Sequence, residues 1–477
     1  MGYVAVIDVG KTNAKLAIVD VASRQELDVS TQANAVLPGP PYPHFDIKGL
    51  WDFFVSNLTA FASRYRIDAL SVTTHGASIV LLDKAGNLAT PVLDYEFNGP
   101  DSTRDQYEKI KPSVDVTGSP KLPGGLNSGA QLFWLFAKFP ELKESVSTIL
   151  TYPQYWSYRL CGVLANEVTS LGCHTDLWLP QEKTFSTLVD DLNIKDKMAN
   201  VLLPTDMLGT VLPNVAEQTG LAKTTRVYCG IHDSNASLYS HLLDRQPPFT
   251  VISTGTWVIC MSMDKYTGFD EPASDVLLNV NALGNPVPSG RFMGGREYDY
   301  LCNKYNVNSE SSSSLEVFDA ESVRTVIDRS AIILPAVEKG SGPYPQLQYQ
   351  WTVDPMMLSE MERNVAISFY LAMMTSVCLK SIRANGDLII EGPFAANPHY
   401  CSMLCAVTAN KVIGTKSGST GTSVGAALVT IEKTPKTELS TESQYVDLAT
   451  AGLMPELRAY AERWYELTQK HITVSGA

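Results

Sequence analysis

The stretch Thr225-Arg226-Val227-Tyr228-Cys229-Gly230-Ile231-His232-Asp233 reads as a short strand that stops on a glycine and presents a carboxylate. Gly230 permits a backbone conformation that a residue with a Cβ resists, and Asp233 falls at the mouth of a turn where a helix can begin near Ser234. Two roles suit an acid there. It can take a proton from a bound hydroxyl, or it can cap the helix, which is the commoner fate. The surroundings bear on the choice, because Val4 to Val19 and Phe249 to Trp257 both read as strand, Gly/Thr turn, strand.

In the first of these, Gly10 lets the backbone approach a ligand, Thr12 and Asn13 offer donors, and Lys11 and Lys15 offer positive charge. Asp8 ends the strand, where it can hold a metal ion through water. Such a turn suits a nucleotide phosphate, or it is an ordinary polar turn. The Gly10-Lys11-Thr12 triplet is not a P-loop: that motif needs a glycine five positions earlier and a helix afterwards, whereas this chain has Ala5 and a second strand. The second copy, Ser253-Thr254-Gly255-Thr256, is free of acids and rich in donors, as a second phosphate turn requires.

At 477 residues the chain is too long for one core. We place a domain boundary close to residue 245, where Asp244 to Pro248 reads as a linker, giving domains 1–245 and 246–477. A net charge of -13 argues against nucleic acid or an anionic membrane as the main partner. The 8 cysteines contain no CxxC pair, so buried free thiols are expected. With no signal-like start and no apolar run of membrane-spanning length, a cytoplasmic protein is expected.

Leu50, Phe54, Leu58, Phe61 and Tyr65 mark an amphipathic helix, followed by a strand Leu70 to Thr74. His75 and Gly76 after that strand are either a pocket wall or structural. Asp94-Tyr95-Glu96 either holds sugar hydroxyls or is a solvated strand end. Val365, Phe369, Met373 and Val377 form one helical stripe within 361–382. Ser309 to Ser314 and Lys416 to Ser423 read as loops, and Gly425-Ala426-Ala427 as a closely packed helix.

Together, DVGKTNAK (8–15), VTTHGASIVLLDKAGNLATPV (72–92), GIHD (230–233), STGTW (253–257), DLIIEGPFAANPHY (387–400) and TGTSVGAAL (420–428) resemble the FGGY carbohydrate kinases, members of the actin-like ATPases. The pattern is most similar to the fuculokinase and rhamnulokinase branch. The resemblance implies an α/β fold of two actin-like (ribonuclease H-like) domains around a central cleft, with ATP and Mg²⁺ as cofactors and a sugar or polyol as the small-molecule partner. By position, Asp233 then corresponds to the catalytic base. Asp8 corresponds to the magnesium carboxylate, with Asp233 beside the same ion. Gly10, Lys11, Thr12, Asn13 and Lys15 correspond to the first phosphate turn, and Thr254, Gly255 and Thr256 to the second. Gly392 and Asn397 match the adenosine turn. His75, Gly76, Ser78, Tyr95, Glu96, His232 and Asp233 fall where the family holds its sugar; a homodimer is left open.

Three departures stand out. Pro393-Phe394 replaces a glycine run, Ser78 stands where the branch tends to carry Asp, and Gln154 stands where many relatives have an acid. The reaction implied is transfer of the γ-phosphoryl group of ATP to a hydroxyl of a pentulose, 6-deoxyhexulose or related polyol. An actin-like nucleotide sensor or scaffold without a sugar acceptor is the alternative. An actin-like phosphatase is disfavoured by the pairing of GIHD with STGTW.

Overall fold

Apolar runs in Tyr3–Val9 and Asn13–Asp20 close an antiparallel hairpin in which Asp8 lies opposite Lys15. The Gly10 N–H donates to the Asn13 carbonyl at 2.9 Å and shuts the turn. This hairpin founds a sheet in the computed structural model, which describes residues 2–271, 274–308, 318–408, 412–415, 421–431, 443–445 and 452–475. The expected loop at 309–314 and residues 416–420 of the expected loop 416–423 lie outside the described residues, whereas 421–423 are not loop but open the helix Gly421–Leu428, whose small residues allow it to start there.

Gln25–Ala33 pairs antiparallel with the hairpin's second strand, and Ile67–Thr74 pairs parallel with its first. Arg226–Tyr228 and Ile231–His232 then run parallel to Ile67–Thr74. Both strands that end beside the site therefore arrive from the same direction. The helix Ile47–Ala62 packs against this sheet through Leu50, Phe54, Leu58 and Phe61, its first turn capped by the Asp46 carboxylate on the Gly49 N–H at 2.9 Å. Truncating Phe54 to Ala costs about 3–5 kcal/mol on the usual scale for core aromatics.

The second unit repeats the plan. Phe249–Thr254 and Val258–Met263 form an antiparallel hairpin, extended by Pro286–Phe292 on one side; Asp387–Glu391 and Val412–Thr415 add parallel on the other. The helix Glu360–Ser381 starts in a capping box made by Ser359 and Glu362. It is buried on all sides rather than along the single stripe expected, because strands and helices of its unit surround it.

A simple division at residue 245 needs correction. The first unit runs to Asp244 but also takes Leu278–Pro286 and residues 421–431, which include the helix Gly421–Leu428, while the second takes the other described residues. The physical reason is close packing. An added Cβ on Gly425 would lie 1.7 Å from the carbonyl oxygen of Ala236, so this helix presses onto the helix Asp233–Asp244. Ser237 and Thr422 share a 2.9 Å hydroxyl contact across it. All 8 cysteines are free thiols, and among the described residues no helix is long and apolar enough to cross a membrane.

Candidate active site

Gly230 sits at φ +90°, and a Cβ there would lie 2.8 Å from the Val72 carbonyl. Only glycine fits that turn without strain. Gln154 holds the turn from below: its amide donates to the carbonyls of Cys229 at 3.0 Å and Gly230 at 3.3 Å, while its oxygen accepts from Thr151. A carboxylate has no donor for those carbonyls, which accounts for the amide at 154.

Asp233 is the first residue of its helix. Its Oδ1 accepts from the Ser234 N–H at 2.6 Å and the Ser234 hydroxyl at 3.3 Å, and lies 3.2 Å from His232 Nε2. A capping carboxylate bonds to an N–H two or three residues on, and this one does not. Oδ2 carries no hydrogen bond or ion pair among the described residues, and the side chain is 34% exposed. One oxygen is thus held while the other is presented.

Beside it, His75 packs its buried ring among Phe45, Tyr95 and Tyr152. Its Nδ1 is 2.6 Å from the Gly76 carbonyl, and its Nε2 is buried without a partner among the described residues. Burial holds this ring neutral, at about 4, against the pull of the nearby Asp233 charge. The Ser78 hydroxyl is likewise buried and unpartnered. Gly76 is needed for space, since a Cβ would sit 2.9 Å from Cys173 Sγ and 3.1 Å from His232 Nε2.

Both lysines of the first turn are paired with acids. Lys11 reaches Asp94 and Glu96, the latter at 3.3 Å, and its ammonium lies 5.2 Å and 5.0 Å from the ring centres of Phe45 and Tyr95. It therefore stands with Asp94, Tyr95 and Glu96, the stretch expected on the sugar side. Lys15 lies 3.0 Å from Glu26 and 3.6 Å from Asp8. Thr12 and Asn13 remain exposed, on a turn braced by Asn34, whose amide donates to the Gly10 carbonyl at 2.8 Å.

Asp8 is pushed up to about 6, chiefly by burial; Lys15 opposes the shift and Asp233 adds to it. A buried carboxyl facing a second one suits a divalent cation, which would relieve both. Among the described residues no group of three or more His, Cys, Asp or Glu is set to hold a metal.

In the second unit, Gly255 and Thr256 are exposed at the turn, but Thr254 is committed inward. Its hydroxyl donates to the Glu391 carbonyl and accepts from the Phe394 N–H at 3.1 Å. Gly392, at φ +83°, would place a Cβ 1.9 Å from the Thr254 carbonyl. Phe394 turns into the core against Tyr298 and Tyr400, so the Pro393-Phe394 departure is a packing choice. Asn397 closes that turn. It is buried, its oxygen caps the following helix through the N–H groups of His399 and Tyr400, and its amide donates to Ser368 at 2.9 Å. A groove of about 600 Å³ in this unit, lined by Asp270, Lys380, Arg383 and Tyr465 among others, contains none of the expected site residues.

Sequence reasoning missed Asp94 as the partner of Lys11, and Cys173 as the neighbour of His232 at 3.3 Å. Asp94 had a signal, being one of two acids flanking Tyr95. Cys173 had none, because its partner is 59 residues away.

Two units, each a hairpin-founded sheet extended by parallel strands, define an actin-like α/β architecture. Residues 3–240 match the N-terminal domain of the FGGY family of carbohydrate kinases, and residues 246–439 match the carbohydrate kinase FGGY C-terminal domain. The chain belongs to the FGGY family of carbohydrate kinases. It is 22% identical over 265 residues to L-fuculokinase of Escherichia coli (strain K12), covering 54% of this chain and 56% of that protein. The chain spans about half the length of the curated relatives it matches. Among solved structures, a carbohydrate kinase from Novosphingobium aromaticivorans superposes with a TM-score of 0.87 at 32% identity, covering 98% of this chain and 99% of that one. A xylulose kinase from Rhodospirillum rubrum shares the fold, with a TM-score of 0.78 at 17% identity and full coverage of both chains.

Proposed function

We propose that this protein transfers the γ-phosphoryl group of ATP to a hydroxyl of a ketose, a pentulose or 6-deoxyhexulose, or of a related polyol, in the cytoplasm. The observation that carries the reading is the asymmetry of Asp233, with Oδ1 fastened to its own helix start and Oδ2 open. Oδ2 accepts the acceptor hydroxyl's proton as the oxygen–phosphorus bond forms. His75 Nε2 and the Ser78 hydroxyl, both buried and unpartnered, are available to the acceptor's other hydroxyls. Lys11 with Asp94 and Glu96 walls the same side. Asp8 would hold Mg²⁺ through water, and that ion when bound neutralises charge on the phosphate oxygens. The relatives named L-fuculokinase and xylulose kinase support 6-deoxyhexuloses and pentuloses as the acceptors to try first.

ADP release measured with L-fuculose, L-rhamnulose, D-xylulose, L-xylulose and erythritol tests the reading. One acceptor should raise release far above the sugar-free rate, and Asp233→Asn should lower that turnover at least about a hundredfold while ATP still binds. The sensor alternative draws on the rigid Pro393-Phe394 turn and the inward Asn397. Slow hydrolysis unchanged by every acceptor would favour it.

A further inference from the structure

His232 is buried, and its two ring nitrogens face different partners. Nδ1 lies 3.3 Å from the side-chain amide of Asn235. Nε2 lies 3.3 Å from Cys173 Sγ and 3.2 Å from Asp233 Oδ1. The backbone of His232 is separately anchored: its N–H donates to the Thr169 hydroxyl at 3.0 Å, and that hydroxyl donates to the buried Glu167 carboxylate at 2.7 Å. With the backbone pinned, the ring's remaining freedom is rotation, and Cys173 and Asn235 oppose it from either edge. Gly76 leaves only enough room for the sulfur and the ring to meet.

We propose that Cys173 is a positioning residue for the base, acting through His232: the sulfur accepts from the Nε2–H, which it shares with Asp233 Oδ1, and so fixes the carboxylate with Oδ2 facing the acceptor. This rests on Asp233 being the base. A ring held in this way donates to both neighbours, and it limits swinging of the carboxylate. A base displaced by a fraction of an ångström loses rate without losing substrate.

The test uses the full chain, with the fastest acceptor of the panel or, if none is faster than water, acceptor-free ATP hydrolysis. Cys173→Ala should lower kcat about tenfold with both KM values within about twofold, and Cys173→Ser, which keeps an acceptor atom, should recover most of the loss. The Cys173→Ala/His232→Asn double variant should be no slower than His232→Asn alone, since both remove one contact chain. Gly76→Ala, which parts the pair while keeping both residues, should mimic Cys173→Ala and serves if the latter folds poorly. Wild-type kcat in Cys173→Ala, losses that multiply in the double variant, or kcat and KM changing together overturns the proposal. Asp233→Asn separates the two readings. If it retains turnover, the base itself is misassigned; if it loses turnover while Cys173→Ala does not, only the positioning role fails.

Discussion

The hairpins Tyr3–Asp20 and Phe249–Met263 share one backbone plan and differ in what their turns are made of. The first carries Asp8, Lys11 and Lys15, all partly or largely buried, and each is tied to a side chain elsewhere in its unit or across the hairpin. The second carries no charge at its turn, and Thr254 is stitched by two hydrogen bonds to the turn after Asp387–Glu391. A charged turn tolerates small changes in shape but not in charge. A neutral, stitched turn should do the reverse.

Asp8→Asn should produce the largest effect. Turnover should fall about a hundredfold or more if Asp8 serves the metal, while the fold gains stability. A carboxyl with a folded value near 6 and an unfolded one near 3.8 stabilises fully below 3.8, and that contribution is lost as pH rises through 6. At pH 8 without metal, the neutral variant should therefore melt higher than the wild type, by up to about 3 kcal/mol on the usual conversion. Thermal melts at pH 4 and pH 8 check the sign, and an equal shift at both removes the account.

Gly392→Ala comes next, costing about 1–3 kcal/mol or more from a strained φ and a blocked Cβ, against well under 1 kcal/mol for Gly10→Ala. Chemical denaturation of the two variants measures the contrast, since a Cβ at Gly10 meets only the Asn13 carbonyl, at 3.2 Å. Equal losses would erase the difference between the turns. Lys11→Met should raise the acceptor KM about tenfold and leave the ATP KM within about twofold, as a sugar-side lysine requires. The opposite split would return Lys11 to the phosphates. The smallest effect should be Thr254→Ser, below about 0.5 kcal/mol, with Thr254→Val costing about 1–3 kcal/mol from two lost partners.

Local physics made much of this legible. The helix Ile47–Ala62 follows from its apolar spacing, the first hairpin from two apolar runs separated by the polar turn at Gly10, and the need for glycine at 230 from the strand that stops there. What sequence left hidden depends on contacts distant along the chain. Lys11 meets an acid 83 residues away, and His232 a thiol 59 residues away; no spacing rule anticipates either. Asn397 caps the helix that follows it, a role that its place before a Pro-initiated helix permits and that only its contacts reveal.

The return of Gly421–Leu428 to the helix that starts at Asp233 has a practical meaning for anyone dividing this protein. A fragment ending near residue 245 would leave the Ala236 face of that helix bare and wet, and its first turn would lose its brace. Two separately expressed halves should therefore regain an ordered turn at Asp233 only when mixed, or when the N-terminal piece is lengthened with a borrowed copy of that late helix.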